Sequence, residues 1–268
     1  MLVLSPLSLG AQEVEAWFSD GNHLAAYGSI RQASLELARQ LEMQGLTDRL
    51  LMLRLEEAYR KRIAPSKAIE SLKKDVARFG TIAGMLASRN LKAQTPAEVS
   101  EQILRLDIFL RAGLSEQECA FILDIALGWD GDRSSRKSQL LFNRITAAMA
   151  AVLPLRSKGL IDAETTVLLA GALIMSDRPD TEFSAQIAPL EKAAGQNLQR
   201  DAANLAKKLS ATRQNVLFEQ VARFGSLMRE QQNPDGQLQR PSTEGGGSQG
   251  AGEGQGQGKG NQGKGPSR

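Results

Sequence analysis

The sequence predicts an all-α fold: antiparallel helical hairpins packed as an irregular bundle or a short α-solenoid, followed by a disordered Gly-rich tail. Three observations predict it. Of 268 residues, 37 are Leu and 34 are Ala, against 8 Val and 12 Ile, so helix formers dominate. Aromatic residues make up 4% of the chain, which leaves few of the side chains that sheets favour. The third is a turn that recurs as Gly45-Leu46-Thr47, Gly113-Leu114-Ser115 and Gly159-Leu160-Ile161-Asp162. In each, Gly accepts the left-handed conformation that ends a helix, and Leu folds back onto the last turn. Thr, Ser or Asp then caps the following helix. Short connections of this kind join antiparallel helices.

Residues 1–11 read as a leader remnant. MLVLSPLSL followed by Gly10-Ala11 resembles the apolar end and small-residue cleavage site of a secretory signal peptide. Cleavage is expected after Ala11. The first basic residue is Arg31, so the positive start of such a signal is missing, and an apolar N-terminal arm is the other reading. Trp17, Phe18 and Tyr27 then gather much of the aromatic content. They fit either core anchors or a partner-binding patch.

The helical domain is expected over 12–231, with a sub-boundary near 88–95 where periodicity lapses. The first helix is expected from Ser29 to Gln44 and the second from Asp48 to Arg62. The second carries Leu50, Leu51, Leu53, Leu55 and Ala58 near one face. Pro65 starts a third, expected to end near Gly80. Thr95-Pro96-Ala97-Glu98 is a capping box with Pro in the first helical position, opening a helix to Arg111. Ser115 with Glu118 is a second capping box, for a helix from Glu116 to Leu127. Ser135 to Val152 and the apolar Ala163 to Met175 follow. The latter, at 13 residues, suits a buried core helix rather than a membrane span. Glu182 to Ala194 and one long helix from Gln196 to Gln231 complete the body. LKKDVARFGTI from Leu72 and LFEQVARFGSL from Leu217 share VARFG, which suggests a common role at helix ends or an internal duplication. From Gly245 to Arg268, 11 of 24 residues are Gly. Residues 232–268 therefore have too little apolar surface to fold and are expected to be disordered.

Little chemistry is written on the chain. A single Cys, Cys119, excludes a disulfide framework. A single His, His23, excludes multi-His metal sites. A Cys119–His23 pair is opposed by the apolar helix around Cys119, which disfavours a thiolate. No phosphate-binding loop or nucleophile elbow is present. Asp130-Gly131-Asp132 lacks the closing Glu of a calcium loop, with Leu141 in its place. No cofactor or metal is expected, and the balance is against an enzyme. The net charge of +3 comes from 33 basic and 30 acidic residues, which argues against nucleic acid as partner. Arg60-Lys61-Arg62 is the densest basic cluster and reads as a solvated helix end or a contact site.

The segment Gly45-Leu46-Thr47-Asp48-Arg49-Leu50-Leu51-Met52-Leu53-Arg54-Leu55-Glu56-Glu57-Ala58 resembles segments of exported all-helical bacterial proteins. The resemblance spans residues 45–75 and carries no activity. It implies a bacterial envelope protein.

The expectation is therefore a periplasmic or otherwise exported, non-enzymatic binding or scaffold protein. Its partner would be another protein or an envelope polymer, and Trp17, Phe18, Tyr27, Arg60, Lys61 and Arg62 are the candidate contacts. One alternative is a cytoplasmic adaptor or nucleic-acid-associated protein using the basic tail. Another is a glycan-cleaving enzyme with two carboxylates facing a cleft roughly 5–10 Å apart.

Overall fold

A computed structural model describes residues 11–91, 93, 95–129, 135–192, 197–211 and 213–232. The chain divides into Met1–Met228, which holds the helical body, and Arg229–Arg268, whose described residues are helical. Of residues 1–11, expected to be a leader remnant, 1–10 lie outside the described residues, as do 130–134 and the expected tail beyond residue 232.

The fold is all-α, and no strand occurs among the described residues. The helices are α1 (Gln12–Phe18), α2 (Gly21–Tyr27), α3 (Arg31–Met43), α4 (Arg49–Arg60), α5 (Pro65–Ser88), α6 (Pro96–Arg111), α7 (Glu116–Trp129), α8 (Ser135–Ser157), α9 (Ala163–Met175), α10 (Phe183–Lys192), α11 (Leu198–Leu209) and α12 (Gln214–Gln232). Short 3-10 turns occupy Gly28–Ile30 and Asp180–Glu182.

The left-handed glycines and the Leu fold-back form as the sequence indicates, and there are more such turns. Gly45, Gly113 and Gly159 have φ of 72°, 111° and 66°. The N–H of the following Leu46, Leu114 or Leu160 donates back to the carbonyl of Leu41, Phe109 or Leu155 at 2.9, 3.1 and 2.9 Å. Two further turns repeat this geometry without Gly. Arg62 (φ 52°) and Asn90 (φ 54°) are left-handed, and Ile63 and Leu91 donate to Ala58 and Leu86 at 3.0 and 2.9 Å. Both capping boxes form: Thr95 Oγ1 accepts from Glu98 N at 3.3 Å, and Ser115 N donates to Glu118 at 2.7 Å. Asp162 caps α9 by accepting from Thr165 N at 2.8 Å.

Thr47 does not cap α4. Its hydroxyl meets Ser100 Oγ on α6 at 2.8 Å. The neighbouring Asp48 carboxylate instead reaches the start of α1, accepting from Glu13 N at 2.8 Å and Val14 N at 3.1 Å. Glu42 accepts from Ala11 N in the same place. Glu42 in the last turn of α3 and Asp48 just before α4 thus satisfy free amide donors at the start of another helix, which the macrodipole also favours.

Several boundaries differ from expectation. α5 continues past Gly80 because Ile82, Ala83 and Leu86 are buried beyond it, and that burial outweighs the cost of the helical Gly80 and Gly84, about 1 kcal/mol each. α8 likewise runs through Pro154, beyond which Leu155 is fully buried. The expected long C-terminal helix is two helices. Ser210, fully buried, turns its hydroxyl back to Ala206 O at 2.7 Å where α11 stops. The VARFG peptides lie within α5 and α12, not at helix ends. They share a core face: Val76 and Val221 are each 4% exposed, and Phe79 and Phe224 are 0% and 2%. Between α5 and α6, the Gln102 amide donates to Leu91 O and accepts from Ala93 N, both at 3.0 Å.

Two groups of contacts build the core. In the first, α5 packs against α3, α4 and α6, while α1 lies on α3 and α4. In the second, α9 packs against α7, α8 and α11. Eleven consecutive residues of α9, Thr165 to Met175, are buried. α6 joins the groups through α7 and α8.

Candidate binding site at the carboxyl end of α4

α4 carries polar chemistry on two sides because Glu56 and Glu57 are neighbours and so point in different directions. On the Glu56 side stands an aromatic cluster. Trp17 Nε1 donates to Glu56 at 2.9 Å. The His23 ring stacks on Trp17 with centroids 4.1 Å apart and meets Tyr59 edge-on at 4.5 Å. His23 Nδ1 lies 3.0 Å from Trp17 O, and His23 Nε2 lies 3.8 Å from Glu56. Arg60 Nε donates to the other Glu56 oxygen at 2.8 Å. The hydrogen bond from Trp17 and the pairing with Arg60 hold the Glu56 carboxyl below its ordinary value, against the opposing effect of burial.

On the Glu57 side is an ion network. Arg54 and Lys61 donate to Glu57 at 2.7 and 2.6 Å, and Arg111 stands at 3.3 Å. Arg54 also pairs with Asp107 on α6, which is fully buried; Arg78 on α5 pairs with both Asp107 and Asp75. Lys61 first, then Arg111 and Arg54, hold the Glu57 carboxyl down to about 2, with burial opposing. Burial pushes Asp75 the other way, above the usual carboxylate range. A cleft of about 70 Å³ opens among Arg54, Glu57, Lys61, Ser71, Asp75 and Arg111. Among the described residues, the buried Nε of Arg54 has no hydrogen-bond partner.

The six candidate residues meet here. Trp17 and Phe18 are 7% and 2% exposed, with their rings 5.0 Å apart and perpendicular. Tyr27 is 3% exposed and its hydroxyl donates to Ala58 O at 3.0 Å and to Ile63 O, one carbonyl on each side of the basic turn. Trp17 and Tyr27 fasten α1 and α2 to α4 through Glu56 and Ala58. Arg60 and Lys61 have side chains 76% and 61% exposed, and Arg62 is exposed with its left-handed backbone forming the turn. The structure thus joins an aromatic set and a basic set that sequence reasoning treated separately.

That reasoning missed Arg54, Asp75, Arg78, Asp107 and Arg111. A signal was present for one of them: Asp107 falls four residues after Ile103 and directly after Leu106, on an apolar stripe where a charge must find a buried partner. Elsewhere, Cys119 is fully buried in α7 and burial pushes its thiol up to about 12, while His23, on α2, is stacked on Trp17 of α1. Among the described residues no three His, Cys, Asp or Glu gather as a metal ion would need. No described helix is long and apolar enough to cross a membrane. The chain matches no family model, no curated protein and no solved structure.

Proposed function

We propose that this chain is an exported, non-enzymatic helical binding or scaffold protein of the bacterial envelope, with the carboxyl end of α4 as its contact surface. The partner is an acidic protein or an anionic envelope polymer. One observation carries the reading: three consecutive exposed cations, Arg60, Lys61 and Arg62, stand at a turn whose two sides the hydroxyl of the buried Tyr27 joins. The Arg60 and Lys61 pairs with Glu56 and Glu57 are exposed (i, i+4) pairs. An exposed pair of this kind contributes little to stability, so Arg60 can turn to a partner at small cost, whereas Lys61 does so by giving up part of its hold on Glu57. A fixed backbone also lowers the entropy lost on binding.

The first experiment is the intact mass and N-terminal residue of the protein from its native cell, followed by cross-linking in the envelope. A chain beginning at Gln12 supports export; one beginning at Met1 in the cytoplasm sinks it. The triple change Arg60→Gln, Lys61→Gln, Arg62→Gln is expected to remove the dominant cross-linked species while leaving the circular dichroism spectrum unchanged. Steeply salt-dependent capture of DNA or RNA would transfer the same cations to the nucleic-acid reading.

The glycan-cleaving alternative draws on Glu57 and Asp75, which line one cleft with their carboxyls pushed in opposite directions, as an acid and base pair requires. Both are committed to Arg or Lys partners. Hydrolysis of an envelope glycan that vanishes in Glu57→Gln would establish that reading in place of the scaffold.

A further inference from the structure

A second site stands at the opposite end of the sequence, where the chain leaves α9 and passes α10 and the last turn of α11. It is a groove of about 330 Å³, at the lower end of the size range of small-ligand pockets. Its walls include Asp177, Arg178, Gln186 and Lys208, with Leu205 and Leu209 as apolar surface. Unlike the α4 cleft, where the charges consume one another, this groove presents polar groups that nothing uses. Among the described residues, the side chains of Asp177, Gln186 and Lys208 have no hydrogen-bond or ion-pair partner. Arg178 makes only a loose pair with Glu182 at 3.6 Å.

The corner beneath it is rigid. Arg144 reaches from α8 to the carbonyls of Ile174 (2.7 Å), Leu173 (3.0 Å) and Arg178 (2.9 Å), and to Asp180 (2.7 Å). Its guanidinium also lies over the Phe183 ring, 4.8 Å from the centroid. The carbonyls left over at the end of α9 are thereby satisfied, and the backbone that carries Asp177 and Arg178 is fixed.

We propose that this groove binds an aliphatic amino-acid unit with a free α-carboxylate. Each group of such a ligand has a complement on the walls. The carboxylate pairs with Lys208 and Arg178, and Asp177 accepts from the ligand nitrogen. The Gln186 amide serves a neighbouring carbonyl or amide, and the aliphatic side chain lies on Leu205 and Leu209. Both a free amino acid and the last residue of a peptide present this chemistry. The proposal is independent of the α4 surface.

The test is calorimetric titration of the full-length chain with leucine, N-acetyl-leucine and N-acetyl-leucinamide. Leucine or N-acetyl-leucine is expected to bind at least tenfold more tightly than the amide, because charge-assisted hydrogen bonds to the carboxylate are lost in the amide, a difference of about 1.4 kcal/mol. Tighter binding of leucine identifies the free amino acid as the source, with its ammonium on Asp177. Equal or tighter binding of N-acetyl-leucine identifies a peptide end. Lys208→Met should weaken binding about tenfold and Lys208→Arg should largely retain it. Lys208 is exposed, so neither change threatens the fold. Absence of heat with all three probes at 10 mM, roughly the weakest affinity of interest, overturns the proposal. So does equal affinity for the amide, or a Lys208→Met chain that binds like the parent.

Discussion

Arg62 is one side chain with two roles, as an exposed cation and as the left-handed residue that ends the α4 turn. Holding a side chain bearing Cβ in that conformation costs about 1–2 kcal/mol, and at the matching positions of three other turns the chain uses Gly. Arg62→Gly is therefore expected to stabilise the fold by about 1 kcal/mol, read as a rise in Tm of about 2–4 °C. Asn90→Gly should gain less, since Asn tolerates this region. The Gly turns were legible because Gly in a helical pattern is a strong punctuation mark. The Arg62 and Asn90 turns were not, because packing of the partly buried Ile63 and the buried Leu91, rather than intrinsic preference, selects the backbone there. The same limit hid the ion network: sequence shows a charge on an apolar stripe but not the helix that neutralises it.

At the scale of the element, two helical glycines separate close packing from open space. A Cβ on Gly171 of α9 would lie 2.6 Å from a Leu217 methyl and 3.1 Å from an Ile125 methyl, both on fully buried side chains. Gly171→Ala is expected to cost about 1–3 kcal/mol through overpacking. A Cβ on Gly80 of α5 would meet the amide group of Gln44, with its oxygen nearest at 2.8 Å, the end of an exposed and flexible side chain. Gly80→Ala should instead stabilise by about 0.5–1 kcal/mol, and denaturant unfolding of the two variants checks the opposite signs. Helix identity followed from caps and periodicity wherever these agreed, as in α6 and α9, whose bounds match expectation. It failed where burial overrode punctuation, as at Gly80 and Pro154. α1 and α2 are each only seven residues long. Remote carboxylates hold the first and Asp20 caps the second, accepting from Asn22 N at 2.8 Å, a signal of one residue in the sequence.

For the molecule as a whole, the network around α4 joins α4, α5 and α6, so its protonation is a property of the assembled body. Glu57 has a folded value of about 2 against an ordinary 4.5. A depressed carboxylate contributes stability that is present above about 4.5 and is lost as pH falls toward 2. Asp75, raised by burial, acts with the opposite sign, since the folded chain takes up its proton more readily than the unfolded one. The parent chain is expected to lose stability between pH 4.5 and 2, and Glu57→Gln should flatten that limb. A Glu57→Gln chain with an unchanged acid limb would show that the three cations do not hold Glu57 as described.

The burial of α9 also has a meaning in time. As the chain emerges from the ribosome, α7 and α8 are already made when Thr165 to Met175 appear, but α11, which covers another side of α9, ends at Leu209. Until then a stretch whose eleven residues are all buried in the finished fold waits with part of its surface bare. Nascent chains halted in that interval present a sticky segment that the finished protein never shows, and the handling of this protein by cellular chaperones would concentrate on that window of synthesis.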